Sequence, residues 1–81
     1  MAMSDELRAI QERVEQGLAK ARTLEALEQV RVASLGKKGS LTAIMRSMGR
    51  LPKEERPAMG QLANTVRANV EAAISQRREQ L

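Results

Sequence analysis

Eighty-one residues, 42% of them hydrophobic but none Phe, Tyr or Trp, and no Cys or His, leave room for one small domain at most. Its core must come from Leu, Ile, Val, Ala and Met, and disulfides, Cys/His zinc sites and nucleophile–histidine catalysis are excluded. The net charge of +4 is concentrated: residues 31–56 hold seven basic and two acidic residues, a net of +5, against seven and eight elsewhere, a net of −1, so the middle of the chain presents the positive field that attracts an anionic partner.

No apolar stretch approaches the length of a membrane span. The start, Met1-Ala2-Met3-Ser4-Asp5-Glu6, is acidic and lacks an apolar h-region, so no secretory signal is expected. A soluble cytoplasmic chain is the default. The Met1-Ala2 dipeptide reads equally as native or as an addition.

In chain order, Ser4 suits an N-cap, with Asp5 and Glu6 in the first turn where the helix dipole favours negative charge. Leu7, Ile10, Val14, Leu18 and Ala21 recur at spacings of three and four and define one helical face. Gly17 weakens that helix by roughly 1 kcal/mol against Ala, or admits a close neighbour. Thr23 suits a cap or a slight break. Leu24, Leu27, Val30 and Leu35 continue the stripe, and Gly36 is placed to stop it. One kinked helix or two is compatible with residues 5–35, and two meeting near Arg22-Thr23 is the favoured reading.

Gly36-Lys37-Lys38-Gly39-Ser40 predicts a flexible loop, with Ser40 placed to cap the next helix. Leu41, Ile44, Met45 and Met48 form that helix, short and amphipathic and ended by Gly49. Residues 51–57 read as a turn. Pro52 suits a first helical position and Glu54 and Glu55 a first turn. Pro57 bars an undisturbed helix unless it opens the next one. From about Ala58 to Leu81, the stripe Met59, Leu62, Ala63, Val66, Val70, Ala73, Ile74 predicts a helix of ~35 Å.

The expected fold is all-α: one domain over 1–81, an elongated antiparallel helical hairpin with a helical leg over about 4–35, a basic tip over 36–57 carrying a short helix, and a return helix over about 58–81. The stripes are too irregular for strict heptads, so the arm is coiled-coil-like only loosely. This geometry places the basic middle at a tip remote from both chain termini.

The blocks Leu35-Gly36-Lys37-Lys38-Gly39 with Leu41-Thr42, then Leu51-Pro52, Glu54-Glu55-Arg56-Pro57, Gly60 and Asn64, together with the run over 24–32, resemble the N-terminal region of bacterial phenylalanyl-tRNA synthetase alpha subunits. The likeness covers nearly the whole chain. Two departures stand out: Ser34 occupies a place where the family usually has an aromatic residue, and Ser40 one where an acidic or polar residue is common. The resemblance implies a helical hairpin arm that contacts tRNA. It also implies a parent protein that continues into a class II catalytic domain. That domain uses ATP and magnesium to activate phenylalanine and charge its tRNA, in an assembly of two alpha and two beta subunits.

Lys37, Lys38, Arg46, Arg50 and Lys53 are the candidate tRNA contacts, acting on phosphates rather than on base edges. Arg46 and Arg50, four apart, share a helical face. Arg31 is a weaker candidate. Gly36, Gly39, Pro52, Arg56 and Pro57 are candidate structural residues of the tip, the glycines supplying backbone conformations barred to other residues. The blander reading of the lysines is a solvated turn. Arg77 and Arg78 complement the C-terminal helix dipole, and Met45, Met48 and Met59 pack the tip. The spacing of a Walker phosphate loop is missing. Glu54 and Glu55 diverge as adjacent helical residues, so no catalytic site, metal site or cofactor is expected in this segment. A structural or self-associating helical module is the alternative; a membrane-surface helix lacks the Trp or Phe anchor it would need.

Overall fold

A computed structural model describes residues 3–81, so the reading of Met1-Ala2 lies outside the described residues. They form four α-helices and one 3-10 turn, with no strand: α1 over Met3–Lys20, α2 over Leu24–Leu35, α3 over Ser40–Ser47, the 3-10 turn over Met48–Arg50, and α4 over Arg56–Gln80. The bundle is elongated, 42 × 19 × 18 Å.

The apolar stripes become the core. Leu7, Ile10, Val14 and Leu18 of α1 are buried with Leu27 of α2, Leu41 of α3 and Ala63, Val66, Val70 and Ile74 of α4. Met3 is already helical, so Ser4 lies inside α1 rather than capping it. The first helix ends at Lys20, and residues 21–23 reverse the chain. Thr23 is extended (φ −132°, ψ 159°), and its hydroxyl oxygen accepts from the Ala26 amide at 3.1 Å. This satisfies one of the donors left over at the start of α2.

α2 folds back along α1 as an antiparallel hairpin, with Gly17 facing Val30 so closely that a Cβ on Gly17 would lie 3.2 Å from a Val30 methyl. α4 is antiparallel to α2: Leu35 shares a groove with Arg67 and Glu71, while Glu28 feels the charge of Arg78. It follows that α1 and α4 run in the same direction. Asn69 donates to Gln11, and Arg77 to the Ala21 carbonyl.

Helical hairpin packing is therefore present, but its geometry corrects the two-legged picture. Residues 4–35 comprise two helices of opposite direction, not one leg. The basic stretch is not remote from both termini either: Asp5 and Glu6 of α1 share a groove with Ala43 and Ile44 of α3. The physical reason is the core composition. Without aromatic rings, a single pair of helices covers too little of the small aliphatic side chains, and three columns cover each stripe from two sides.

Candidate nucleic-acid interface

The loop between α2 and α3 is built by close approach rather than by unusual backbone angles. No described residue has a positive φ, glycines included. Gly36 is extended (φ −65°, ψ 171°), and a Cβ there would fall 2.4 Å from the Val32 carbonyl oxygen. At Gly39 a Cβ would fall 2.5 Å from the Ser34 carbonyl carbon and oxygen. Both glycines are thus needed because backbone lies where a side chain would go, which corrects the expectation of a conformation open to Gly alone.

The same loop is pinned. The Gly39 amide donates to the Gly36 carbonyl at 2.8 Å. Ser34 is buried, and its hydroxyl donates to the Val30 carbonyl at 2.9 Å. Thr42 donates to the Leu35 carbonyl at 3.4 Å and Ser40 to the Ala33 carbonyl at 3.5 Å. Ser40 therefore ties α3 to α2 instead of capping α3, whose N-cap is Gly39. Lys37 and Lys38 stand exposed on this tethered turn.

Arg46, also exposed, projects from α3 at a groove of about 370 Å³ between α3 and α4, lined by Leu35, Leu41, Thr42, Met45, Arg67 and Glu71. Arg50 and Lys53 are exposed beyond the end of α3. α3 stops at Ser47, and the 3-10 turn carries Arg50. Its tighter winding of three residues per turn breaks the shared face expected for Arg46 and Arg50. The candidate cations consequently spread along α3: Lys37 and Lys38 before its start, Arg46 in its last turn, and Arg50 and Lys53 at the turn that leads into α4.

Arg56 clamps that turn. Its Nε donates to the Leu51 carbonyl at 3.0 Å and its Nη2 to the Gly49 carbonyl at 2.8 Å. Pro52 lies in the turn, its carbonyl accepting from the Glu55 amide at 2.9 Å, and not at a first helical position. Pro57 instead occupies the opening of α4, where its missing N–H costs no helical bond.

Carboxylate pairing among the described residues involves two arginines. Arg31 donates to Glu28, which holds that carboxyl below its ordinary range and raises the Arg31 guanidinium. Arg67 pairs with Glu71 at 2.8 Å. Among the described residues, none of Lys37, Lys38, Arg46, Arg50 and Lys53 has a carboxylate within ion-pair distance. Arg77 sits with Arg78 in the last turn of α4 and also reaches the Ala21 carbonyl. Arg67 escaped the sequence reading because it sits in a charge-balanced helix, and only the fold brings it opposite Arg46. Among the described residues no group of three or more His, Cys, Asp or Glu is arranged to hold a metal ion. No described helix is long and apolar enough to cross a membrane.

Residues 22–81 match the family described as "Aminoacyl tRNA synthetase class II, N-terminal domain". The chain is 48% identical over 79 residues to a phenylalanine–tRNA ligase alpha subunit of Acetivibrio thermocellus, a match that covers 98% of this chain and 23% of that protein. It is 49% identical over 76 residues to the protein of the same name from Nostoc sp., covering 94% and 23%. The corresponding Oceanobacillus iheyensis protein is 43% identical over 79 residues, covering 98% and 23%. The chain thus spans less than a quarter of the length of these relatives. No solved structure matches at a significant level.

Proposed function

The chain belongs to the N-terminal domain family of class II aminoacyl-tRNA synthetases, and from that premise we propose that it is the tRNA-binding arm of a phenylalanine–tRNA ligase alpha subunit. It has no catalytic site of its own and positions tRNA for charging by the rest of a longer polypeptide. The observation that carries this reading is the set of exposed cations at Lys37, Lys38, Arg46, Arg50 and Lys53, concentrated in the middle of the chain and without a carboxylate partner among the described residues. Unpaired surface cations exchange their counterions for phosphates at little cost, and counterion release drives such binding. Without aromatic side chains to stack on bases, the interface discriminates poorly among tRNAs.

In this reading the remaining polypeptide supplies the ATP and magnesium chemistry. The beta subunit, in an assembly of two alpha and two beta chains, and a cytoplasmic location follow from the same reading. Titrating tRNA into isotopically labelled chain tests it. Amide shifts at residues 37–53 are expected, and log affinity falls against log salt with a slope of roughly −2 to −4 for three to four phosphates. Shifts confined to the C-terminal halves of α1 and α4 would sink the proposal.

A second reading has one observation in its favour. Leu24 and Val32 are 58% and 49% exposed, and two helical turns separate them on one face of α2. A self-associating helical module uses that face, and sedimentation at increasing concentration separates the two readings.

A further inference from the structure

The groove between α3 and α4 has Leu35, Leu41 and Met45 among its walls, with Arg46 on one side and Arg67 on the other. It opens beside the tethered lysine loop, because Leu35 immediately precedes that loop and Thr42, also a lining residue, is hydrogen-bonded to Leu35. Arg46 has no carboxylate partner among the described residues, whereas Arg67 is held by Glu71.

That hold is weak. The two side chains are 55% and 52% exposed, so solvent and salt screen the pair. Arg67 also precedes Glu71 by one turn, the less favourable order for a helical ion pair. A phosphodiester oxygen competes well for such a guanidinium, since a fork of N–H donors suits phosphate as closely as carboxylate.

We propose that this groove is a phosphodiester subsite in which Arg67 leaves Glu71 and shares an RNA phosphate with Arg46. The inference rests on the tRNA-arm reading and adds an exchange to it: Glu71 occupies Arg67 until RNA arrives. Glu71 thereby sets the affinity of the groove, acting as an internal competitor rather than as a fold-stabilising partner.

The test is fluorescence anisotropy of labelled tRNA with the 81-residue chain across a salt series. Arg67→Gln weakens binding about three- to tenfold at low salt and makes the log–log slope shallower by about 0.7 to 0.9, the loss of one phosphate contact. Glu71→Gln tightens binding about two- to fivefold, because the competitor is gone. In the Arg67→Gln background the Glu71→Gln gain shrinks to less than about 1.5-fold, the non-additivity expected of residues that share a partner. Equal gains in both backgrounds would mean that Glu71 acts only as a general negative charge, and the exchange is overturned. Silence of both variants, with Lys37→Gln/Lys38→Gln weakening binding, overturns the groove and leaves the arm reading intact. No binding by the unaltered chain overturns both.

Discussion

The Arg77 guanidinium donates twice to the Ala21 carbonyl oxygen, through Nε at 3.2 Å and Nη2 at 2.7 Å, and so bolts the turn after α1 to the last turns of α4. The Ala21 carbonyl lies just past the end of α1, where helical partners run out. Charge-assisted bonds to it are stronger than neutral ones. Arg77→Met keeps the apolar stem and removes the donors. It is expected to lower unfolding free energy by about 1–2 kcal/mol, read as an earlier urea midpoint at unchanged slope. An unchanged midpoint would show that the latch contributes nothing.

The glycines offer a contrast within one helical chain. A Cβ at Gly39 meets the Ser34 backbone at 2.5 Å, while one at Gly60 meets nothing within 4 Å. Backbone cannot swing aside as a side chain can. Gly39→Ala therefore costs about 1–3 kcal/mol, and Gly60→Ala, in an open helical position, gains about 0.5–1 kcal/mol. Thermal unfolding of the two variants decides: shifts of the same sign would contradict the packing around residue 39.

These cases mark what the sequence made legible. Periodicity identified the buried faces, and Leu7, Ile10, Val14, Leu18, Val66, Val70 and Ile74 are all core. Chain punctuation identified the break at Thr23 and the loop at Gly36, because capping and termination are local physics. The partner of each face was not legible. A stripe fixes which side of a helix is apolar, not whether its neighbour runs up or down, and α1 beside α4 in the same direction follows only from how three columns cover a small aliphatic core. Arg67 was invisible for the same reason: its place in one groove with Arg46 is a property of packing.

Leu41 is the buried residue of α3, 1% exposed. It anchors the helix that carries Arg46 and borders the lysine loop. Leu41→Ala removes its methyl groups and leaves a cavity, for a cost of about 2–5 kcal/mol, a large share of what so small a domain holds. The expected readout is a lower melting temperature together with faster amide exchange over residues 36–47. Unaltered exchange in that segment would mean that α3 is held by its hydrogen bonds to α2 alone.

Glu28 gives a pH prediction whose sign is fixed by its partner. The Arg31 hydrogen bond holds the Glu28 carboxyl below the ordinary glutamate value of 4.5. The folded state therefore favours the ionised form, and the contribution is present above pH 4.5 and disappears as pH falls through the lowered value. About half of the Glu28 side chain is exposed, so the effect is small and screened by salt. A carboxyl-carbon NMR titration should show Glu28 titrating below the ordinary glutamate value, and Arg31→Gln should move it back towards that value.

The placement of two basic pairs at opposite ends of α3 makes the last expectation quantitative. Lys37 and Lys38 flank α3, whereas Arg50 and Lys53 belong to the turn that Arg56 clamps beyond it. If one tRNA lies across both, each pair supplies its own phosphates. Lys37→Gln/Lys38→Gln and Arg50→Gln/Lys53→Gln should then each make the salt slope shallower by about 1.4 to 1.8, at about 0.7–0.9 per phosphate. Sites this well separated should combine additively in the quadruple variant. A quadruple variant no weaker than the first pair alone would confine the RNA to the α3 side. Neutralising the end turn would then change nothing but the net charge, and Arg50 and Lys53 would be solvated cations of an ordinary turn.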